Sequence, residues 1–381
     1  MTAGLVFAVS TGLVAYVFAG YPALVAAWAR LRPAPIATDS GTLPGVSLII
    51  VAYNEADVIA RKLDNTEELD YPDDRLEVIV VTDGSTDATP EVAANWAGVR
   101  VLHRPERRGK LAAMNRAAAL AEKDVLVFSD ANNLFVPQTL RELTACFADP
   151  QVGVATGRKM VDDGSGRQLD RAEGLYWRYE SRLKDWESRV GSVVSVTGEV
   201  LAFRREAFPV LPPGSITEDF VQAMSAASRG WRVAYAPKAL SLERASATVG
   251  DEANRRSRLV AGRYQALGRL LPEMIRRRPL LAWQVISHKG ARPLIPWALA
   301  AAAGSSLRLA GRKRWARPIV ALEAAFYGLA TLGWRDAARG RRRMWTYIPY
   351  YFCRMNAASL RGARDFLRGQ QSAVWERVQR D

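Results

Sequence analysis

Five short polar motifs stand at the ends of apolar runs, and between them they carry acids, amides, arginines and a lysine. Ala52-Tyr53-Asn54-Glu55 follows the run Val46–Ala52. An Asn there can cap a helix; a Tyr ring beside polar groups can also receive a nucleobase. Thr82-Asp83-Gly84-Ser85-Thr86-Asp87 follows Glu77–Val81. Asp-Gly is a turn signal, and Asp83 can equally accept a hydrogen bond from a base N–H or a ribose hydroxyl. Arg107, Arg108, Gly109 and Lys110 open a helical pattern. Such a run is either a solvated loop or a phosphate contact at a helix N-terminus, made by Lys110.

Ser129-Asp130-Ala131-Asn132-Asn133 closes the run Asp124–Phe128. Beside the plain turn reading stands a divalent cation, Mg²⁺ or Mn²⁺. Such an ion takes oxygen ligands and can bridge a carboxylate to a diphosphate, here through Asp130 with help from Asn132. Thr217-Glu218-Asp219-Phe220 precedes another helical pattern. A Thr cap followed by acids is ordinary helix-start chemistry; Asp219, with Glu218 beside it, can also be a general base for a hydroxyl. Arg255, Arg256, Arg258 and Arg263 can hold a diphosphate or face lipid.

The scarce residue types narrow the chemistry. There are two Cys, Cys146 and Cys353, and two His, His103 and His288. A disulfide framework and a multi-histidine metal site are excluded. Catalysis falls to carboxylates, Arg and Lys.

Strand-length apolar runs must position these groups. Val46–Ala52, Glu77–Val81, Val99–Leu102 and Asp124–Phe128 alternate with helical patterns over 55–69, 86–96 and 110–121. That alternation predicts an α/β fold with a mostly parallel sheet covered on both faces. Ligands of such sheets bind beyond the carboxyl ends of the strands, where the early motifs fall.

The flanks have another texture. Residues 1–29 carry no charge, and Leu5–Trp28 is long enough to cross a hydrocarbon core of about 30 Å. Arg30 and Arg32 follow, which places the next domain on the cytoplasmic side. The net charge of +14, from 53 basic and 39 acidic residues, fits an anionic membrane surface better than nucleic acid. Leu294–Leu307 and Pro318–Trp334 are further candidate spans, and Trp345–Leu360 can span or lie in the interface. Arg308, Arg312, Lys313, Arg314 and Arg317 separate the first two; Arg335, Arg339, Arg341, Arg342 and Arg343 follow the second. Full crossing by both conflicts with the positive-inside rule, which leaves a re-entrant or interfacial hairpin open. The expected organisation is an N-terminal transmembrane helix (1–30), a linker (31–45), the α/β domain (46–275) and a C-terminal membrane or interfacial helical region (276–381).

The order of the motifs resembles the inverting family 2 glycosyltransferases of GT-A fold, a Rossmann-like architecture. Within them it resembles the membrane-integrated branch related to cellulose, hyaluronan and poly-N-acetylglucosamine synthases. The likeness covers about Val46 to Gln265. It implies that Tyr53, Asn54, Glu55, Asp83 and Lys110 hold a uridine nucleotide. It also implies that Asp130 with Asn132 binds metal and diphosphate, and that Asp219 is the base. The segment from Tyr176-Trp177-Arg178-Tyr179-Glu180 to Gly198 would lie near the acceptor.

Two departures stand out: Asn132 replaces an Asp, and Arg255-Arg256-Ser257-Arg258-Leu259 replaces the Gln-x-x-Arg-Trp of processive synthases. The resulting expectation is an inner-membrane, multi-pass enzyme with a cytoplasmic catalytic domain. It would move one sugar from a UDP-sugar to a lipid-linked or glycan acceptor, for bacterial envelope or exopolysaccharide assembly with partner proteins. The rivals are a processive synthase, a non-catalytic scaffold and, more remotely, a nucleic-acid-binding membrane protein.

Overall fold

The computed structural model describes residues 2–39, 41, 43–162, 168–244, 249–341 and 343–370. Arg342 and the side chain of Tyr176 lie outside this set. The chain opens with α1 (Ala3–Ala15), a π-helical turn over 16–20 and α2 (Tyr21–Leu31). Together they make one helix of 29 residues. It is the one described helix long and apolar enough to cross a membrane by length and composition.

The α/β unit follows as β1 (Val46–Ala52), α3 (Ile59–Glu67), β2 (Leu76–Thr82), α4 (Thr89–Ala94), β3 (Val99–Leu102), α5 (Lys110–Leu120) and β4 (Val125–Asp130). It continues as β5 (Leu134–Phe135), α6 (Thr139–Ala145), β6 (Val152–Asp162), α7 (Gln168–Val190), β7 (Leu201–Arg204), α8 (Glu218–Ser228) and β8 (Arg232–Arg244). One eight-stranded sheet results, in the order β3-β2-β1-β4-β7-β6-β8-β5. β3, β2, β1 and β4 are parallel to one another. β7 runs against both β4 and β6, β6 pairs parallel with β8, and β5 runs against β8.

β1 shows why these runs are strands. Its residues alternate between two cores: Ile49 and Val51 pack with α5 and α8, while Leu48 and Ile50 pack with α3 and α6. A strand buried on both faces reads as a nearly continuous apolar run, interrupted in β1 by Ser47, whose hydroxyl is satisfied by Glu77. The helix expected over 110–121 starts at Lys110 as α5, whereas α3 and α4 start later than periodicity suggests. Residues 53–58 form a turn that places Asn54 at φ 53°, a left-handed conformation Asn tolerates better than most residues. The helix expected over 55–69 therefore begins at Ile59.

The remainder is helical: α9 (Val249–Arg277), α10 (Pro279–Val285), α11 (Ile295–Ala310), α12 (Ala316–Ala338) and α13 (Met344–Leu367). Tyr21, Val25 and Ala29 of α2 bury against Leu183 and Val190 of α7, which ties the N-terminal helix to the α/β unit. Gly362 of α13 meets Ser257 and Val260 of α9 with no room for a Cβ, so α13 lies directly on α9.

Candidate active site

At the end of β1 the side chains of the first two motifs interlock. The Arg107 guanidinium lies 3.6 Å from the centroid of the Tyr53 ring. Asn54 joins the ends of β1 and β2, accepting from the Thr86 amide at 2.8 Å while its own amide donates to Ser85 Oγ. The Glu55 amide donates to Thr89 Oγ1, and Glu55 is itself buried. Asp83 is also buried, and each of its carboxylate oxygens accepts a backbone amide at 2.8 Å, from Arg108 and Gly109. Asp83 thus holds the loop that launches α5. Gly84, at φ 71°, lets that loop pass: a Cβ would lie 2.9 Å from the Arg107 backbone.

Lys110 is the first residue of α5, and its Nζ lies 2.5 Å from Asp130 Oδ1 and 3.5 Å from Glu218 Oε1. Three motifs far apart in sequence meet at this ammonium. Burial pulls the lysine pKa down, but Asp130 and Glu218 outweigh it and hold the group above the ordinary lysine value. Burial also pushes the Glu218 carboxyl up, against the pull of Lys110 and with Asp219 adding to the rise.

Asp219 sits at the start of α8 and accepts the Phe220 amide at 2.7 Å. Gly198 packs on it so closely that a Cβ would stand 2.9 Å from the Asp219 Cβ. The motif on its own predicts Thr217 as a helix cap. The structure differs: Thr217 makes no capping bond, and its buried Oγ1 has no hydrogen-bond partner. Gly262 of α9 presses on Thr217, which brings Arg258, one turn earlier, to the side of Glu218 that its charge influences. The other arginines of this stretch go elsewhere. Arg255 pairs with Glu252 at 3.4 Å, and Arg256 reaches Ser359 of α13.

Asp130 and Asn132 offer hard oxygens suited to a divalent ion. The Asn132 Oδ1 is buried and has no hydrogen-bond partner, as a metal-facing or water-facing carbonyl oxygen would. Among the described residues no three or more His, Cys, Asp or Glu converge on a metal position. An ion here would draw most of its ligands from a diphosphate and water.

Residues not singled out from sequence complete the site. Lys62 is fully buried behind Asp130, donates to the Asn133 carbonyl at 2.9 Å, and has its pKa pushed down to about 7 by burial. Asn133 ties that turn to Ser129, Ser241 and the Glu199 carbonyl. The available signal was a lysine on the apolar face of α3, between Ile59 and Leu63. Glu180, expected near an acceptor, is instead buried in an ionic junction with His288, Lys289 and Arg292.

Residues 47–211 match the family model described as Glycosyl transferase family 2. Over 173 residues the chain is 27% identical to the beta-monoglucosyldiacylglycerol synthase of Nostoc sp., covering 44% of this chain and 37% of that protein. Over 235 residues it is 27% identical to the poly-beta-1,6-N-acetyl-D-glucosamine synthase of Staphylococcus aureus, covering 59% and 56%. The chain thus spans about half or less of the curated relatives it matches. Its fold is similar over 96% of its length to all of the mannosyltransferase PcManGT from Pyrobaculum calidifontis, solved with GDP-Man and Mn²⁺. That likeness has a TM-score of 0.69 and 28% identity.

Proposed function

We propose, from a chain whose residues 47–211 carry a family 2 glycosyltransferase domain on a GT-A fold, that it is a membrane-held inverting glycosyltransferase. It moves a sugar from a nucleoside diphosphate sugar to a lipid-linked or glycan acceptor in envelope polysaccharide assembly. The observation that carries this reading is the meeting of Lys110, Asp130 and Glu218 beyond the strand ends, with Asp219 alongside.

The nucleoside lies against the Tyr53 and Asn54 end of the sheet, beside Glu55 and the loop that Asp83 holds. Lys110 and Arg258 meet the diphosphate, with Arg255 further along the same helix. Asp130 and Asn132 would hold Mg²⁺ or Mn²⁺. Such an ion, when bound, neutralises charge on the leaving diphosphate. Asp219 takes the proton of the acceptor hydroxyl as its oxygen attacks the anomeric carbon from the face opposite the nucleotide. The bond from that carbon to the diphosphate oxygen breaks, and its electron pair leaves with the nucleoside diphosphate. One displacement inverts the centre. Glu218 keeps Lys110 aimed at the donor.

The α/β unit (46–275) lies on the cytoplasmic side of the plasma membrane, anchored by residues 1–30 through the 31–45 linker. Residues 276–381 supply further membrane contact. Arg258-Leu259 in place of an Arg-Trp pair favours single addition over chain extension. A second reading concerns the base: whole-length similarity to a GDP-Man-bound enzyme favours guanosine over uridine.

The test is nucleoside diphosphate release by the detergent-held protein from a panel of UDP- and GDP-sugars, with Mg²⁺ or Mn²⁺ and a membrane lipid extract. Release from one donor, with an acceptor extended by one sugar, is the expected result. A long polymer would favour the processive rival, and nucleotide binding without release would favour the scaffold.

A further inference from the structure

Glu180, Lys184 and Glu187 follow one another on one face of α7, and all three are buried. The two acids are already paired. Glu180 meets Arg292, Lys289 and His288. Glu187 accepts from Tyr21 and from the Val194 amide and meets the His288 ring. Lys184 stands apart: among the described residues no carboxylate comes within ion-pair distance of its Nζ. It donates instead to Thr197 Oγ1 at 2.7 Å and faces the Tyr235 ring at 5.4 Å. A buried ammonium is costly, and one that leaves the acids of its own helix to other cations needs a reason.

Thr197 leads to Asp219. The Thr197 amide donates to Thr156 Oγ1 of β6 at 3.0 Å, and its carbonyl accepts the Val200 amide at 3.1 Å. The turn that carries Gly198 is thus held at its backbone and, through Lys184, at its side chain. Asp219 fills the space that Gly198 leaves bare: a Cβ there would lie 3.0 Å from Asp219 Oδ2 and 3.2 Å from its Cγ. The carboxylate therefore rests on the turn that Lys184 grips.

Charge makes the same connection. The acids that act on Lys184 are Glu180 and Glu187 of α7, Glu199 of the 197–200 turn and Asp219 of α8. Tyr235 of β8, with Arg158 and Asp185 acting on it, completes its surroundings. Glu199 faces Lys159 at 3.8 Å. Asp219 is then the one acid of the four with no ion-pair or histidine contact among the described residues. Burial pulls the Lys184 pKa down to about 8 against these acids, so the group stays protonated at neutral pH.

We propose that Lys184 is a positioning residue for the transfer: it sets the Thr197-Gly198 turn on which the Asp219 carboxylate rests, and its charge favours the proton-accepting form of that carboxylate. This rests on the reading of Asp219 as the base. A positive charge behind a carboxylate favours ionisation. Glu218, the like charge next to Asp219, works the other way, while Lys110 of α5 acts on both acids and Arg258 of α9 on Glu218. Lys184, sealed from solvent, offsets Glu218 without meeting donor or acceptor.

The test compares the detergent-held full chain with Lys184→Met, Thr197→Val, Thr197→Ser and Asp219→Asn. The readouts are nucleotide affinity and nucleoside diphosphate release from the panel of UDP- and GDP-sugars, with Mn²⁺ and a membrane lipid extract, over a pH series. Lys184→Met is expected to keep nucleotide affinity and to lower turnover about 10-fold. It should also move the acid limb of the pH profile up by about one pH unit, since the carboxylate loses a cation that opposed its protonation. Lower turnover with an unmoved limb would make Lys184 a packing residue and overturns the proposal. If Lys184→Met does not fold, Thr197→Val decides. Its turnover should fall about five-fold with affinity kept, and Thr197→Ser should restore it; wild-type turnover in Thr197→Val overturns the proposal. Wild-type release from Asp219→Asn overturns the base reading itself. Loss of release in Asp219→Asn beside an unmoved limb in Lys184→Met overturns this proposal alone. No release from the unsubstituted chain with any donor overturns both.

Discussion

Two clusters of charge in this molecule are built to opposite rules. In the candidate active site Lys110, Asp130 and Glu218 keep 15%, 33% and 15% of their side-chain surface exposed, and one ammonium serves two acids. In the junction joining α2, α7 and residues 286–294, Glu180, Glu187 and His288 are essentially sealed. There Glu180 meets Arg292 at 2.6 Å, His288 at 3.2 Å and Lys289 at 3.3 Å, and Glu187 accepts from Tyr21 at 2.6 Å. Burial raises the Glu180 carboxyl pKa, but Arg292, Lys289 and His288 overcome it and hold the group well below its usual range. A closed network can only hold parts together, whereas an open one can exchange partners with a ligand. Charge count alone does not separate structure from chemistry; partner count and exposure do.

That contrast can be broken by substitution. The largest effect is expected at the junction. Glu180→Ala strands buried cations and should cost about 3–5 kcal/mol of stability, read as a lowered thermal midpoint. A wild-type midpoint would mean that the junction is solvated and that the contrast is false. Next comes Lys110→Met, which should lower turnover about 10- to 100-fold, or roughly 1.4–2.7 kcal/mol, with a smaller stability change than Glu180→Ala. The reverse ranking would make Lys110 structural.

Lys62 sharpens the comparison because it lies at the site yet is sealed like the junction. Its folded pKa is depressed to about 7, so between about pH 7 and 10 the unfolded chain binds more protons than the folded one. Stability therefore rises with pH across that window and is lost as pH falls through 7. The slope reaches at most about 1.4 kcal/mol per pH unit. The wild-type curve measured against Lys62→Met should show that rise, and parallel curves would contradict it. Gly198→Ala crowds the Asp219 Cβ and should lower turnover about 10-fold, close to 1.4 kcal/mol, with nucleotide binding retained. The smallest effect belongs to Arg255→Gln. It removes an i,i+3 pair with Glu252 and should shift stability by about 0.2–0.5 kcal/mol.

Much of this was legible in the sequence. Runs such as Val46–Ala52 are apolar on both faces at every position but Ser47, a pattern local enough to read. The motif order pointed to family 2 and the GT-A fold, and the comparisons bear that out. Helix starts were less legible, because α3 and α4 wait on turns organised by Asn54 and Asp87 side chains. The sheet's second half reverses at β7, a pairing that no local pattern announces. Neither the cover that Arg107 gives Tyr53 nor the burial of Lys62 is written in spacing, since each joins residues tens of positions apart. The Glu180 junction joins α7 to residues more than a hundred positions later, which sequence alone cannot bring together.

The central claim is that Asp219 is the base of a sugar transfer made at the Lys110–Asp130–Glu218 cluster. Its most direct test compares wild type with Asp219→Asn in two readouts on the same preparation, nucleotide affinity and nucleoside diphosphate release in the presence of acceptor. The account predicts unchanged affinity with release reduced about 10²- to 10⁴-fold. Wild-type release from Asp219→Asn would contradict it.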